Sequence, residues 1–443
     1  MLEKLHLSLP LVIALAGVAL VVLVLLIVGK VPLNYNLRNL VVRWPITLLT
    51  ALAFMLVIGL LTVMLAFVNG MYRLTENSGQ PGNVIVLSDG ATDEAFSNMT
   101  YSDMGNIDKN ALVLKTDDGK KTLCSREVYI IGSQPIPPEF KRRRFVQIRG
   151  VEDGPVGGQV HAIELLEGQW FSDAGVQELP REGTSKEPEQ AIQAVLGEGL
   201  ARELGNDLRK GYRLTVGDSF ELGPRKWVVV GVMASSGSTF GSELWAKRSI
   251  VGPLYNKEQL STVVLRTSGA KQAEELAKDL TANYKSSAVQ CQTEPEYYSK
   301  LQGTNLQFLI VIGVITFFMA LGGIFGVMNT MFAAISQRIK DIGVLRILGY
   351  ARWQILVSFF LESMVLALVG GMLGCAVGFL ADGWTATSIV GSGQGGGKSV
   401  VLKLVVDAQV ISWGMLLTVA MGAFGGLVPS LSAMLVRPLE SLR

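Results

Sequence analysis

The chain has 443 residues, of which 49% are hydrophobic and only 17% charged, well below the roughly 25% charge of an ordinary soluble chain. A net charge of +2 argues against nucleic acid or a strongly acidic partner. Two histidines, His6 and His161, are too few for a multi-histidine metal centre or a histidine-based triad.

Long uncharged stretches lie towards both ends, and a polar block occupies about residues 71–305. That distribution reads as a membrane protein carrying a soluble domain. A bilayer core of roughly 30 Å needs about 20 apolar residues in a helix. The segments that qualify are Leu7–Val28, Pro45–Val68, Leu306–Ile335, Ile355–Leu380 and Val410–Leu435. The first reads as an uncleaved anchor, because its apolar run exceeds a signal-peptide core and no small-x-small cleavage site follows. With five spans, Lys30, Arg38 and Arg43, then Arg338, Lys340, Arg346 and Arg352, and finally Arg437 and Arg443 all fall on one side. The positive-inside rule makes that side the cytoplasm. Residues 71–305 and the short 384–407 loop then face outward.

Within the polar block, β-branched and alternating runs read as strands, including Thr262–Arg266, while Ala191–Leu204 and Gly269–Lys285 read as helices. Cys124 and Cys291 are expected to be buried thiols, with pairing as the lesser alternative, and Cys375 falls in an apolar stretch. Lys141–Arg144 is a basic run best read as a solvated strand edge, the alternative being contact with anionic lipid or cell-wall polymer. Glu178–Glu189, with Pro180 and Pro188, reads as a surface loop. Ser235–Glu243 reads as a polar loop, a possible partner contact. No nucleophile–base or paired-carboxylate arrangement stands out, so no catalytic site is expected.

The last three spans carry glycines at four-residue spacing: Gly322 and Gly326, then Gly370, Gly374 and Gly378, then Gly422 and Gly426. Small residues at this spacing let helix backbones approach closely. Glu362 is an intramembrane carboxylate, open to two readings: a functional group, or a partner for a nearby arginine. Asp382 sits at the outer end of the same span. Between the third and fourth spans, Ser336–Tyr350 reads as a short amphipathic helix with Ile339, Ile342 and Leu345 on one side, lying either at the membrane face or against a partner. Gly349 is its expected stop, with Arg346 in the last turn. Gly391–Ser399 looks like a phosphate-binding loop, but Ser392 stands where the motif needs glycine, and the segment joins two spans. It is expected to be a flexible connector.

The run Asn329 through Arg338, Asp341-Ile-Gly343, Leu345-Arg346, Gly349, Phe360-Leu-Glu362, Gly370-Gly371 and Gly374 resembles the FtsX/MacB-type permease signature. The closing Pro429, Ala433 and Arg437–Arg443 looks like the end of that signature. Leu166–Phe171, Val195–Ala201, Val216–Phe220 and Trp227–Val232 resemble the family's periplasmic core domain. The resemblance covers roughly residues 37–443 and departs from the family core by the extra span Leu7–Val28. It also shows no ATPase domain, which MacB carries at its N-terminus, so the ATPase is expected on a separate subunit.

The expected fold class is a membrane α-helical bundle of about five transmembrane helices with a large extracytoplasmic α+β domain inserted between the second and third spans. Its expected parts are an anchor and linker (1–36), a first core helix (37–70), a MacB-like core domain (71–305) and an FtsX-like permease domain (306–443) with a coupling helix near 336–350. The resemblance implies ATPase coupling through Arg338, Ile342, Gly343, Arg346 and Gly349, and a multi-pass place in the bacterial inner membrane. It further implies permease homodimers or heterodimers, a possible membrane-fusion or periplasmic adaptor protein, contact with membrane lipid, no nucleic acid, and no cofactor beyond the ATP and Mg of the partner. Three functions fit this class: export or lipoprotein release by mechanotransmission, FtsX-like regulation of a cell-wall hydrolase, or a non-transporting scaffold or receptor.

Overall fold

The computed structural model describes residues 42, 44–100, 106–135, 143–180, 189–208, 210–234, 238–283, 289–301, 303–390 and 398–436. The expected first span Leu7–Val28, Lys30, Arg38, Arg43, Lys141 and the closing Arg437–Arg443 lie outside the described residues. The chain divides into two units, one of helices (Met1–Asn69, Phe308–Trp384, Leu404–Arg443) and one of α+β character (Gly70–Gln307, Thr385–Lys403).

The helical unit is built on α1 (Trp44–Ser78, whose first part belongs here), α7 (Gly303–Ser336), α8 (Ile339–Ile347), α9 (Arg352–Phe379) and α10 (Ala408–Met434). Among the described residues, four helices are long and apolar enough to cross a membrane: Thr47–Ser78, Gln307–Ser336, Arg352–Phe379 and Ala408–Met434. Phe54, Ile58, Val327, Met331, Ile355, Phe359, Ala367 and Met421 make their shared core. Asp407 caps α10 by accepting from the Gln409 and Val410 amides. Asp382 accepts from the Val406 amide and so closes the segment joining α9 to α10.

α1 runs ten residues past the expected end at Val68, because its apolar face continues into the soluble unit. Met71, Leu74 and Ser78 are buried at helical spacing while Arg73, Glu76 and Asn77 are exposed.

The α+β unit contains β1 (Asn83–Ser88), β2 (Cys124–Pro135), β3 (Arg143–Val151), α2 (Gly154–Val160), β4 (Leu165–Gly168), β5 (Val176–Leu179), β6 (Glu189–Gly197) and α3 (Glu198–Asp207). It continues with β7 (Ser219–Leu222), β8 (Arg225–Met233), β9 (Glu243–Lys247), α4 (Arg248–Leu254), β10 (Thr262–Arg266), α5 (Ala270–Asn283), β11 (Val289–Thr293) and α6 (Glu294–Leu301). The strands form one sheet in the order β11-β1-β10-β2-β3-β9-β6-β8-β4, with β5 on β6 and β7 on β8. Pairing is antiparallel except for β3 with β9 and β6 with β8. α5 lays Ala273, Leu276, Ala277 and Leu280 on Val84, Val86 and Val263 at one end of the sheet. Towards the other end, α3 covers β6 and β8 through Leu200, Ala201 and Leu204.

The helix expected over Ala191–Leu204 is instead strand β6 followed by α3. Ile192, Ala194 and Leu196 enter one core, whereas Ala191 and Val195 enter the core on the opposite face. That alternation is the period of a strand buried on both sides, and such a strand reads as an unbroken apolar run. Gly197 passes so close to the backbone of Gly241 that any side chain would collide, and the helix starts one residue later.

The 384–407 connector is a hairpin, β12 (Thr385–Val390) and β13 (Lys398–Lys403); its 391–397 tip lies outside the described residues. Its Val401 amide donates to Ser242 Oγ. Ser238–Ser242 is likewise a buried turn, and Glu243 opens β9, so this stretch is no exposed loop; 235–237 lie outside the described residues. Of the basic run, Arg144 is engaged by α3, donating from Nε to Asp207 at 2.8 Å and pairing with Glu203. Glu178 and Leu179 belong to β5 and Glu189 to β6; residues 181–188 lie outside the described residues.

Candidate functional site

α8 follows α7 after a turn in which Arg338 holds a non-helical conformation (φ −113°). The Arg338 carbonyl accepts from the Ile342 amide and so starts the helix. Ile342 and Gly343 are buried, whereas Lys340, Asp341, Val344, Ile347 and Leu348 are exposed. Ile339 and Leu345 do not share the buried side with Ile342, so the helix is not cleanly amphipathic: it shows apolar side chains in both directions. Ile347 and Leu348 are 61% and 70% exposed. Gly349 (φ +96°) takes the left-handed position just past the helix end, where a side chain would be strained. Its amide donates to the Arg346 carbonyl, and Arg346 Nη1 donates to the Tyr350 carbonyl at 3.1 Å.

Arg338 turns inward. Its Nη1 donates to Glu362 Oε2 of α9 at 2.9 Å, both side chains are 3% exposed, and its guanidinium lies 5.9 Å from the Phe359 ring. Thr47, Thr50, Thr330, Met331, Ala334 and Leu366 line the same small pocket, bringing α1, α7 and α9 around the pair. Of the two readings of Glu362, the paired one describes its geometry. Removing one partner from such a pair leaves an uncompensated buried charge, at about 3–5 kcal/mol. Arg338, Ile342 and Gly343 are therefore placed on the bundle side of α8, and Arg346 is half-buried.

The expected packing glycines divide. Gly370, Gly374 and Gly378 face α1, where an added Cβ would lie 2.5 Å from the Ala51 carbonyl oxygen, 2.8 Å from that of Met55 and 2.5 Å from Thr62. Gly422 and Gly426 face α9, against Ala367 and Ser363. Gly322 and Gly326 meet nothing within 4 Å, and the neighbouring Gly323 makes the contact instead, against Met421. Close contacts on α9 explain why its most apolar stretch is 56% buried, against 11% for α7.

Sequence reasoning missed a second buried charge centre, in the α+β unit, around Arg149 and His161. Its members are scattered from residue 94 to residue 294, so no local spacing signals it.

Long apolar helices packed through glycine, together with an α+β unit built on a sheet of eleven strands among the described residues, define a multi-pass membrane protein bearing a large soluble domain. Residues 47–283 match the MacB-like periplasmic core domain and residues 313–436 the FtsX-like permease C-terminal domain; the chain belongs to this family of ABC transporter permeases. Neither matched domain is a catalytic one. The uncharacterized ABC transporter permease YknZ of Bacillus subtilis (strain 168) is 23% identical over 416 residues, 90% of this chain and 94% of that protein. The macrolide export ATP-binding/permease protein MacB of Burkholderia cenocepacia (strain HI2424) is 24% identical over 399 residues, 82% of this chain and 54% of the relative. The MacB of Shewanella sp. (strain ANA-3) is 23% identical over 65% of this chain, which spans 42% of it. The chain thus spans about half the length of these MacB relatives. A crystal structure of the extracellular domain of YknZ aligns with 47% of this chain at 14% identity, with a TM-score of 0.32.

Proposed function

We propose that this chain is the permease subunit of an ABC transporter whose ATPase is a separate cytoplasmic subunit. In this reading ATP-driven motion of that subunit reaches the extracytoplasmic domain through α8, for export or release of a lipoprotein, peptide or drug-like substrate. The observation that carries the proposal is the buried Arg338–Glu362 pair, which fastens the start of α8 to α9 while Val344, Ile347 and Leu348 remain exposed. A helix held rigidly on one side and apolar on the other suits a lever pressed by a partner. Arg338, Ile342, Gly343 and Glu362 are then the fastening, Gly349 ends the lever, and the exposed residues meet the ATPase. ATP and Mg belong to that partner, and no cofactor is assigned to this chain.

The open Gly322–Gly326 stripe, with exposed Phe318 and Phe325 on the same helix, supports a second permease copy or a related subunit against α7, with lipid covering the rest. In this reading the chain sits in the bacterial inner membrane with its α+β domain outward, where a membrane-fusion or periplasmic adaptor protein would meet it.

The test is co-purification of the full chain with its candidate ATPase, with hydrolysis measured with and without Ile347→Asp and Leu348→Asp. The proposal expects a stable complex that either change disrupts. A well-folded chain that binds no ATPase overturns the coupling reading and favours a scaffold or receptor.

A further inference from the structure

The α+β unit buries an ion cluster. Arg149 of β3 donates from Nε and Nη2 to Glu243 of β9 at 2.7 and 2.9 Å, and from Nη1 and Nη2 to Glu94 at 2.8 and 3.2 Å. Glu127 of β2 also accepts from Arg149 Nη1. The other Glu127 oxygen lies 2.7 Å from His161 Nε2, at the end of α2, and His161 Nδ1 lies 3.3 Å from Glu294 Oε1. The second oxygen of Glu294 accepts from the Gln80 amide at 2.9 Å and from Asn83 Nδ2 at 2.8 Å. Aromatic rings exclude water from the line: the Arg149 guanidinium sits 5.0 Å from the Tyr129 ring, and His161 4.8 Å from Phe240.

Four carboxylates thus share Arg149 and His161, and all six side chains are at most 3% exposed. Burial disfavours a charged imidazole, yet the facing Glu127 and Glu294 carboxylates overcome it and push His161 up to about 10. A buried network of this kind contributes little net stability, because apolar residues of similar volume would often do as well. What it supplies is geometry: hydrogen bonds hold Arg149 and His161 Nε2 on their partners' oxygens, and His161 Nδ1 faces Glu294 as an ion pair without a hydrogen bond.

The two ends of the line have particular positions in the chain. Glu294 opens α6, the segment through which the chain leaves this unit before α7, and its bonds to Gln80 and Asn83 tie it to the segment that follows α1. An added Cβ on Gly79 would lie 2.9 Å from Pro295, so the two segments are in backbone contact. At the far end, Glu243 follows directly on the Thr239–Ser242 turn that holds β13.

We propose that Glu294, His161, Glu127, Arg149 and Glu243 form one positioning relay. It holds the junction where the chain joins and leaves the α+β unit in a fixed relation to β9, so that a displacement at that junction is felt at β9. The relay deepens the coupling reading, since it supplies the route by which helix motion would enter the domain. Its test needs no ATPase and therefore stands or falls separately.

Glu294 and Glu243 do not touch, and distant sites normally act additively. The experiment is a mutant cycle on the full chain in lipid nanodiscs, with Glu294→Gln and Glu243→Gln alone and together. Amide hydrogen exchange across residues 239–247 is the readout. The cycle is repeated with His161→Gln, which removes the link between Glu294 and Glu127. The relay expects exchange in the double variant to depart at least threefold from the product of the two single effects, and expects that departure to vanish in the His161→Gln background. Additive effects in both backgrounds overturn it, as does non-additivity that survives the loss of His161. Glu294→Asp, which keeps the charge but withdraws it, replaces the glutamine variant if that variant does not fold.

Discussion

Glu362 accepts a 2.9 Å hydrogen bond from Arg338 across 24 residues of sequence, joining the turn before α8 to a point about three turns into α9. Both groups are removed from water, so neither tolerates loss of the other. Glu362→Gln or Arg338→Met alone is expected to destabilise the bundle by about 3–5 kcal/mol. The double change Arg338→Met/Glu362→Leu should recover most of that, because no buried charge is left unpaired. Thermal unfolding in detergent or nanodiscs reads both, and a double variant as unstable as the singles would refute the pairing.

The glycines of α9 should behave differently from those of α7. Gly374→Leu forces a side chain into the Met55 carbonyl and Ile58 of α1, and overpacking of this kind typically costs about 1–3 kcal/mol. Gly322→Leu meets open space within the chain and should leave monomer stability within about 0.5 kcal/mol. If it weakens self-association in a cross-linking assay, α7 is a permease–permease contact; unchanged association places the second copy elsewhere.

The His161 site makes stability depend on alkaline pH. Its folded pKa of about 10 stands above the ordinary 6.5, so the stabilisation is fully present below about 6.5 and is lost as pH rises through 10. Glu127 is shifted the opposite way: burial opposes its charge, but His161 and Arg149 hold it below the usual carboxylate range. Its contribution therefore holds above the ordinary value and fades in acid. Unfolding of the wild type between pH 7 and 11 should show a fall that His161→Gln flattens. An identical fall in that variant would assign the loss to other groups.

Cys124 and Cys291 are expected to stay reduced. They lie on β2 and β11, with β1 and β10 between them in the sheet. Three strand spacings amount to about 14 Å, twice the roughly 7 Å that a disulfide can bridge. Burial pushes both thiols up to about 12, which starves them of reactive thiolate. Alkylation of the native protein at pH 8 should leave both sites unlabelled until denaturant is added. Rapid native labelling, or an intramolecular disulfide under oxidation, would contradict this arrangement.

Much of the architecture was legible because its signals are local and one-dimensional. A run of uncharged residues long enough for a bilayer announces a helix whatever it packs against, and α7, α9 and α10 lie near their expected places. The glycine stop at Gly349 follows from the conformation that only glycine adopts cheaply. β6 was misread for a physical reason: a strand buried on both faces loses the polar alternation that marks strands, and its apolar run joins that of the following helix.

The sequence by itself determined which segments are apolar enough for a membrane, that a large α+β domain accompanies them, and which family motifs they carry. It left Glu362 between two roles and marked Gly322–Gly326 as equal to the other glycine pairs. Only the tertiary structure decided that Arg338 faces Glu362, that α7 keeps its glycines open, and that Arg149, His161 and four glutamates meet in one buried line. The reason lies in range. Periodicity and conformational preference act over a few residues, whereas a buried charge is settled by whichever partner the fold brings within about 3 Å, and that partner lies 24 residues away for Glu362 and 94 for the Arg149–Glu243 pair.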